Sequence, residues 1–112
     1  MELHKKRCVP CEGGEPPLTP EQIERLKPQV SGWEVTTVDH HPSLAKSFTF
    51  KDFADSIAFV NKVRDVAETE GHHPDLHIHW NKVRVENWTH AIGGLHENDF
   101  ILAAKIDRLT KR

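Results

Sequence analysis

The chain lacks an apolar run of membrane-spanning length, so no transmembrane helix is expected. It also lacks a one-sided charge. Lysine and arginine number 15 against 17 aspartates and glutamates, a formal net charge of −2 with the histidines neutral. The basic residues are scattered, so no nucleic-acid footprint is expected. Cysteine is scarce, at two. The opening MELHKKRCVPCEGG has no apolar h-region, so a secretory signal is not expected. Few cysteines without a leader predict a reducing compartment, and the cytoplasm is the expected location. GxSxG, the P-loop and HExxH are all absent. The last absence argues against a metal-dependent hydrolase that uses its histidines as ligands.

What the chain does have is histidine. Nine are present, and six fall in Glu68 to Asp99, ETEGHHPDLHIHWNKVRVENWTHAIGGLHEND. Histidine is the side chain whose ordinary pKa, near 6.5, lets it exchange a proton around neutral pH. A small domain that gathers this many imidazoles is built to move protons or to hold a metal.

At 112 residues the chain predicts one domain, with 37% apolar and 29% charged residues typical of a globular protein. Residues 1–18 read as a flexible tail, broken by Gly13, Gly14, Pro16 and Pro17. Residues 19–112 read as the folded domain. Thr19, Pro20 and Gln22 predict a capped helix start, and Trp33 to Val38 a strand. His40-His41-Pro42-Ser43 reads as a turn and Leu44 to Phe50 as a second strand. Lys51 to Glu70 has helical spacing, with Phe53, Ile57, Val60 and Ala67 on one face and Phe59, Val63 and Val66 beside it. Gly71 is the expected terminator.

Leu76 to Trp80 alternates as a strand, with His77 and His79 on the solvent side. Asn81-Lys82 is the expected turn into a fourth strand that runs to about Thr89. Glu97 to Lys111 is the expected last helix. The order α-β-β-α-β-β-α predicts an α+β fold, a four-stranded antiparallel sheet with helices packed on one face.

A hairpin centred on Asn81-Lys82 would set position 90 opposite about position 73. His72, His73 and His90 should therefore meet at one end of the sheet. Pro74 holds His73 extended, so the two adjacent imidazoles should diverge.

These residues carry a resemblance. Glu68, His72, His73, Pro74, Trp80, His90 and Asp99 stand at the intervals of the pterin-4a-carbinolamine dehydratase family, also known as the dimerization cofactor of a homeodomain transcription factor. FTFKDF (Phe48 to Phe53), WNKV (Trp80 to Val83), Thr89-His90, Gly94-Leu95 and Gly32-Trp33 match as well, and the likeness covers about residues 19–108. It implies dehydration of a 4a-hydroxytetrahydropterin to the quinonoid dihydropterin, in tetrahydrobiopterin recycling or related pterin metabolism. It implies catalysis by His72, His73 and His90, with His72 and His90 as the acid/base pair and His73 mainly orienting. Glu68, Trp33, Pro74 and Asp99 would contact the substrate or its imidazoles. No cofactor or metal is implied for the chemistry. The expected assembly is a homodimer or homotetramer. The alternative within the resemblance is an oligomeric interaction module, coactivator-like or tied to molybdopterin metabolism, with little dehydratase activity.

Cys8-Val9-Pro10-Cys11 has CxxC spacing. Two free thiols in a tail are the plainer reading; a zinc site shared with His4 or a second chain is the alternative, since two thiolates do not complete a tetrahedron. His77 and His79 read as solvated or interfacial. Trp33 and Trp88 read as core residues on general grounds, and only the resemblance lifts Trp33 to the pocket.

Overall fold

Thr19 accepts a hydrogen bond from the Gln22 N–H, and the Gln22 side chain accepts one from the Thr19 N–H. This reciprocal cap opens α1, Pro20–Leu26. The computed structural model describes residues 2–11 and 13–110. After a 3-10 turn at Lys27–Gln29 come β1, Glu34–Val38, and β2, His41–Thr49. The turn between them is Asp39-His40, with φ of 48° and 69°. His41 and Pro42, expected in the turn, instead open β2 and pair with Val38 and Thr37. Pro42 is tolerated because the ladder from β2 to the strand on its other side starts only at Leu44, so no partner needs its missing N–H.

Asp52 caps α2, Phe53–Glu70, by accepting from the Asp55 N–H. Gly71 ends it at φ 66°, where a side chain would be strained. The buried stripe of α2 is Ser56, Phe59, Val63 and Ala67. Phe59 and Val63 come from the flanking row and Ala67 from the expected face itself, while Phe53 stays exposed.

Two strands follow, β3, Asp75–His79, and β4, Lys82–Asn87. Their turn is Trp80-Asn81, one residue earlier than expected, with His79 opposite Lys82. Asn81 is held there by the end of β2. Its carbonyl accepts from the Phe50 N–H at 2.7 Å and its side-chain amide donates to the Phe50 carbonyl at 3.2 Å. Trp80 is left at the tip with φ 47°, a costly conformation for a bulky residue. The last helix, α3, spans Glu97–Arg108; its expected end at Lys111 lies outside the described residues.

The sheet is antiparallel in the order β1-β2-β4-β3. Leu44 and Phe48 of β2 and Val83 and Val85 of β4 form its inner face, and α2 and α3 pack on that side. Phe100, Leu102 and Ile106 of α3 are fully buried in this core. Each such side chain contributes about 1.5–3 kcal/mol relative to exposure. The outer face is polar. His77 pairs there with Glu86, which also takes Arg84. No helix among the described residues is long and apolar enough to cross a membrane.

The segment expected to be a flexible tail lies against the domain as a strap. Leu3 enters the core. Lys105 donates to the His4 carbonyl, and Lys6 pairs with Glu97 at 3.0 Å. Val9 and the Asn98 amide exchange two hydrogen bonds, at 3.0 and 2.7 Å. Leu18 donates to the Leu95 carbonyl. Gly94 must be glycine for this, since a Cβ there would meet the Pro17 ring at 2.8 Å.

Glu70, with its side chain 4% exposed, is the strap's charged anchor. Burial pushes its carboxyl up. The Cys8 N–H at 2.8 Å, then the charges of Lys105 and Arg7, outweigh burial and hold it below its usual 4.5. A carboxyl lowered in the folded state adds stability above its unfolded pKa and loses it as pH falls through the folded value. Urea midpoints of wild type and Glu70→Gln should therefore differ most near neutral pH and converge as pH falls below 4.5. A gap that is constant across pH would contradict this.

Candidate active site

Gly71 turns the chain off α2, and His72-His73-Pro74 leads directly into β3. The ladder pairs Asp75 with Glu86. Carried past its end, that register sets Trp88 across from His73 and Thr89 across from His72. His90 follows at the start of a 3-10 turn, His90–Ile92, closed by a bridge between Thr89 and Gly94. His72, His73 and His90 thus come together as expected, but through a pairing shifted by two residues, with His73 opposite Trp88 and not His90. That shift brings Trp88 into the site.

The three histidines, with Pro74, Trp88 and Thr89, line a cavity of about 400 Å³. Val9 and Cys11 of the strap and Asn98 of α3 close another side. This is room for a small bicyclic ligand.

Asp99 lies behind His72 and is fully buried. Its Oδ1 sits 2.6 Å from His72 Nε2. Its Oδ2 accepts from the Thr89 hydroxyl at 2.9 Å and from the His96 N–H at 3.0 Å. The second of these is half of the capping box of α3. Facing an acceptor-only carboxylate, His72 keeps its proton on Nε2 and donates it in a hydrogen bond to Oδ1. His72 Nδ1 is then left to exchange a proton with a ligand. His73 is held more loosely, by Glu68 at 2.6 Å on the exposed surface. Pro74 lines the cavity beside it.

The family model described as pterin 4 alpha carbinolamine dehydratase matches residues 16–109.

The chain belongs to that family.

Relatives bearing the name pterin-4-alpha-carbinolamine dehydratase agree. One from Rubrobacter xylanophilus is 49% identical over 96% of this chain and 98% of its own. One from Methylococcus capsulatus is 50% identical over 96% and 92%. The solved structure of a transcriptional coactivator/pterin dehydratase from Brucella melitensis superposes with a TM-score of 0.77 at 29% identity, covering 85% of this chain and 99% of that one. The chain is a pterin dehydratase with the family's α+β fold.

Trp33, expected at the pocket, is not among the dehydratase cavity's lining. It is 3% exposed in the core, and its indole N–H donates to the Asp107 carboxylate, which also holds Lys46. Trp88 takes the aromatic position at the cavity instead. The two cysteines do not share one site either. Cys8 Sγ faces the Asn98 carbonyl, and burial, then the charge of Glu70, pushes its thiol up to about 12. Among the described residues Cys8 belongs to no cluster of three side chains able to hold a metal. His4, the third member of that idea, pairs with Glu2. Ligand atoms of Cys11, Glu15 and His96 lie within 4.8 Å of one another. His96, however, accepts the Asn98 N–H on Nδ1 and faces Glu15 with Nε2 at 2.9 Å. Neither ring nitrogen has a lone pair free for a cation.

The residues missed in the sequence are Trp88, Thr89 and the strap's Val9 and Cys11. Trp88 was legible once the hairpin turn is placed at Trp80-Asn81. The strap residues carry no local signal.

Proposed function

We propose that this dehydratase acts on a 4a-hydroxytetrahydropterin by histidine acid/base catalysis. One observation carries the reading: His72, His73 and His90 share a single cavity, with a buried carboxylate behind His72. In the reaction the C4a–O bond breaks and the oxygen leaves as water with a donated proton. N5 gives up its proton, and a C4a=N5 double bond forms. A pair of imidazoles supplies both transfers, each worth roughly 10²–10⁴-fold. His72 is suited to take the N5 proton, because Asp99 stabilises the imidazolium that results. His90 then donates to the departing hydroxyl. His73 and Glu68 orient the ring system.

The test generates the 4a-hydroxypterin with an aromatic hydroxylase and follows its decay with and without this protein. Dehydration should accelerate in proportion to protein and survive exhaustive chelation. Decay at the spontaneous rate would refute the reading.

A second reading is an oligomeric interaction module, favoured by the Brucella melitensis structure's description as both coactivator and dehydratase. Either role fits a homodimer or homotetramer. The sheet has two open edges, β1 and β3, and Ile78 and Trp80 are exposed at the β3 side. Sedimentation equilibrium at micromolar concentration should show at least a dimer. A single species at 12.8 kDa would rule the assembly out.

A further inference from the structure

The three imidazoles of the cavity are held in different ways. His72 is fixed by Asp99 and His73 by Glu68. Among the described residues no hydrogen bond holds the His90 side chain, and His90 is exposed. What it does have is Trp88, whose ring centroid is 3.9 Å away at an interplanar angle of 34°. A second imidazole lies against that indole. His41 stacks on Trp88 with centroids 3.2 Å apart and planes at 13°. The indole therefore packs against two imidazoles at once, and Trp88 also lines the cavity.

The backbone explains this packing. β2 and β4 pair Leu44 with Asn87. Three residues beyond that pair, the same register would bring His41 opposite His90, with Trp88, two residues before His90, on the same face of the strand. His41 reaches this position because the β1–β2 turn is Asp39-His40, which frees His41 to continue the strand. His41 itself does not line the cavity.

We propose that His41 is a positioning residue of the dehydratase: it fixes the plane of Trp88, and Trp88 in turn aims the His90 ring. This rests on the functional reading above. The role needs a flat ring at position 41 and no proton transfer there. Stacked aromatic pairs favour defined offset geometries, so an aromatic replacement can substitute for the imidazole.

The test compares His41→Ala and His41→Phe in the full chain, with His40→Ala as a control at an exposed turn position. Displacing a catalytic ring costs rate far out of proportion to the distance moved. His41→Ala should lower kcat roughly tenfold with little change in KM, on that principle. His41→Phe should recover most of the rate, and His40→Ala should match wild type. Imidazole resonances, assigned by NMR, give a readout that needs no substrate. The His90 ring signals, shifted by the indole ring current, should move in His41→Ala and stay in place in His41→Phe. Wild-type rate in His41→Ala would overturn the proposal, as would a His41→Phe enzyme as slow as His41→Ala. If the wild-type protein fails to dehydrate the pterin, the functional reading falls and NMR alone decides the positioning: unmoved His90 signals in His41→Ala overturn it, and moved signals uphold it.

Discussion

Replacing His72 or His90 with alanine should lower kcat for pterin dehydration by roughly 10²–10⁴-fold, the range that general acid/base catalysis supplies. The fold should persist, because neither ring belongs to the core. His72 is the larger loss in mechanistic terms, since its alanine variant also leaves the Asp99 carboxylate without its imidazole. Single-turnover rates with circular dichroism would measure this. Two folded variants at wild-type rates would remove both residues from the mechanism.

Asp99→Ala should cost both stability and rate. Its oxygens accept from His72, Thr89 and His96, and it is completely buried. Truncation strands buried donors from a strand end and a helix start at once. The expected loss is about 3 kcal/mol, in the range for a broken buried hydrogen-bonded network. Asp99→Asn separates the two effects. It keeps the shape, and with it most of the stability. It no longer offers a charged acceptor to His72 Nε2, so the ring loses its preferred tautomer. On that ground kcat should fall about 10²-fold or more. Urea melts and steady-state rates on the two variants would show it. An Asn variant as active as wild type would mean that Asp99 serves the helix alone.

The architecture was legible because the local signals agree with one another. Capping at Thr19, the stop at Gly71 and the alternation of Leu76, Ile78, Val83 and Val85 all point to the same elements. The meeting of His72, His73 and His90 was legible for the same reason. Turn placement was not. The expected turn at Asn81-Lys82 follows from ordinary residue preferences, whereas the observed one puts Trp80 at positive φ because Asn81 is tied to Phe50. That is a tertiary contact with no local trace. The strap was missed for the same kind of reason. Glycine and proline mark it as a linker, and only Asn98 and Glu70, distant in sequence, and the core that takes in Leu3 say otherwise. Trp33 shows the opposite error, a pocket role taken from resemblance where the placement is core.

Asp99 sits at the third position of α3, where a reciprocal cap ordinarily works best with Glu or Gln. Judged by the cap alone, the longer side chain would be the stronger choice there. One extra methylene would drive the carboxylate into the space that His72 fills at 2.6 Å. Helix capping and imidazole placement therefore make opposite demands on one position, and the closed surroundings of Asp99 decide them in favour of the shorter acid.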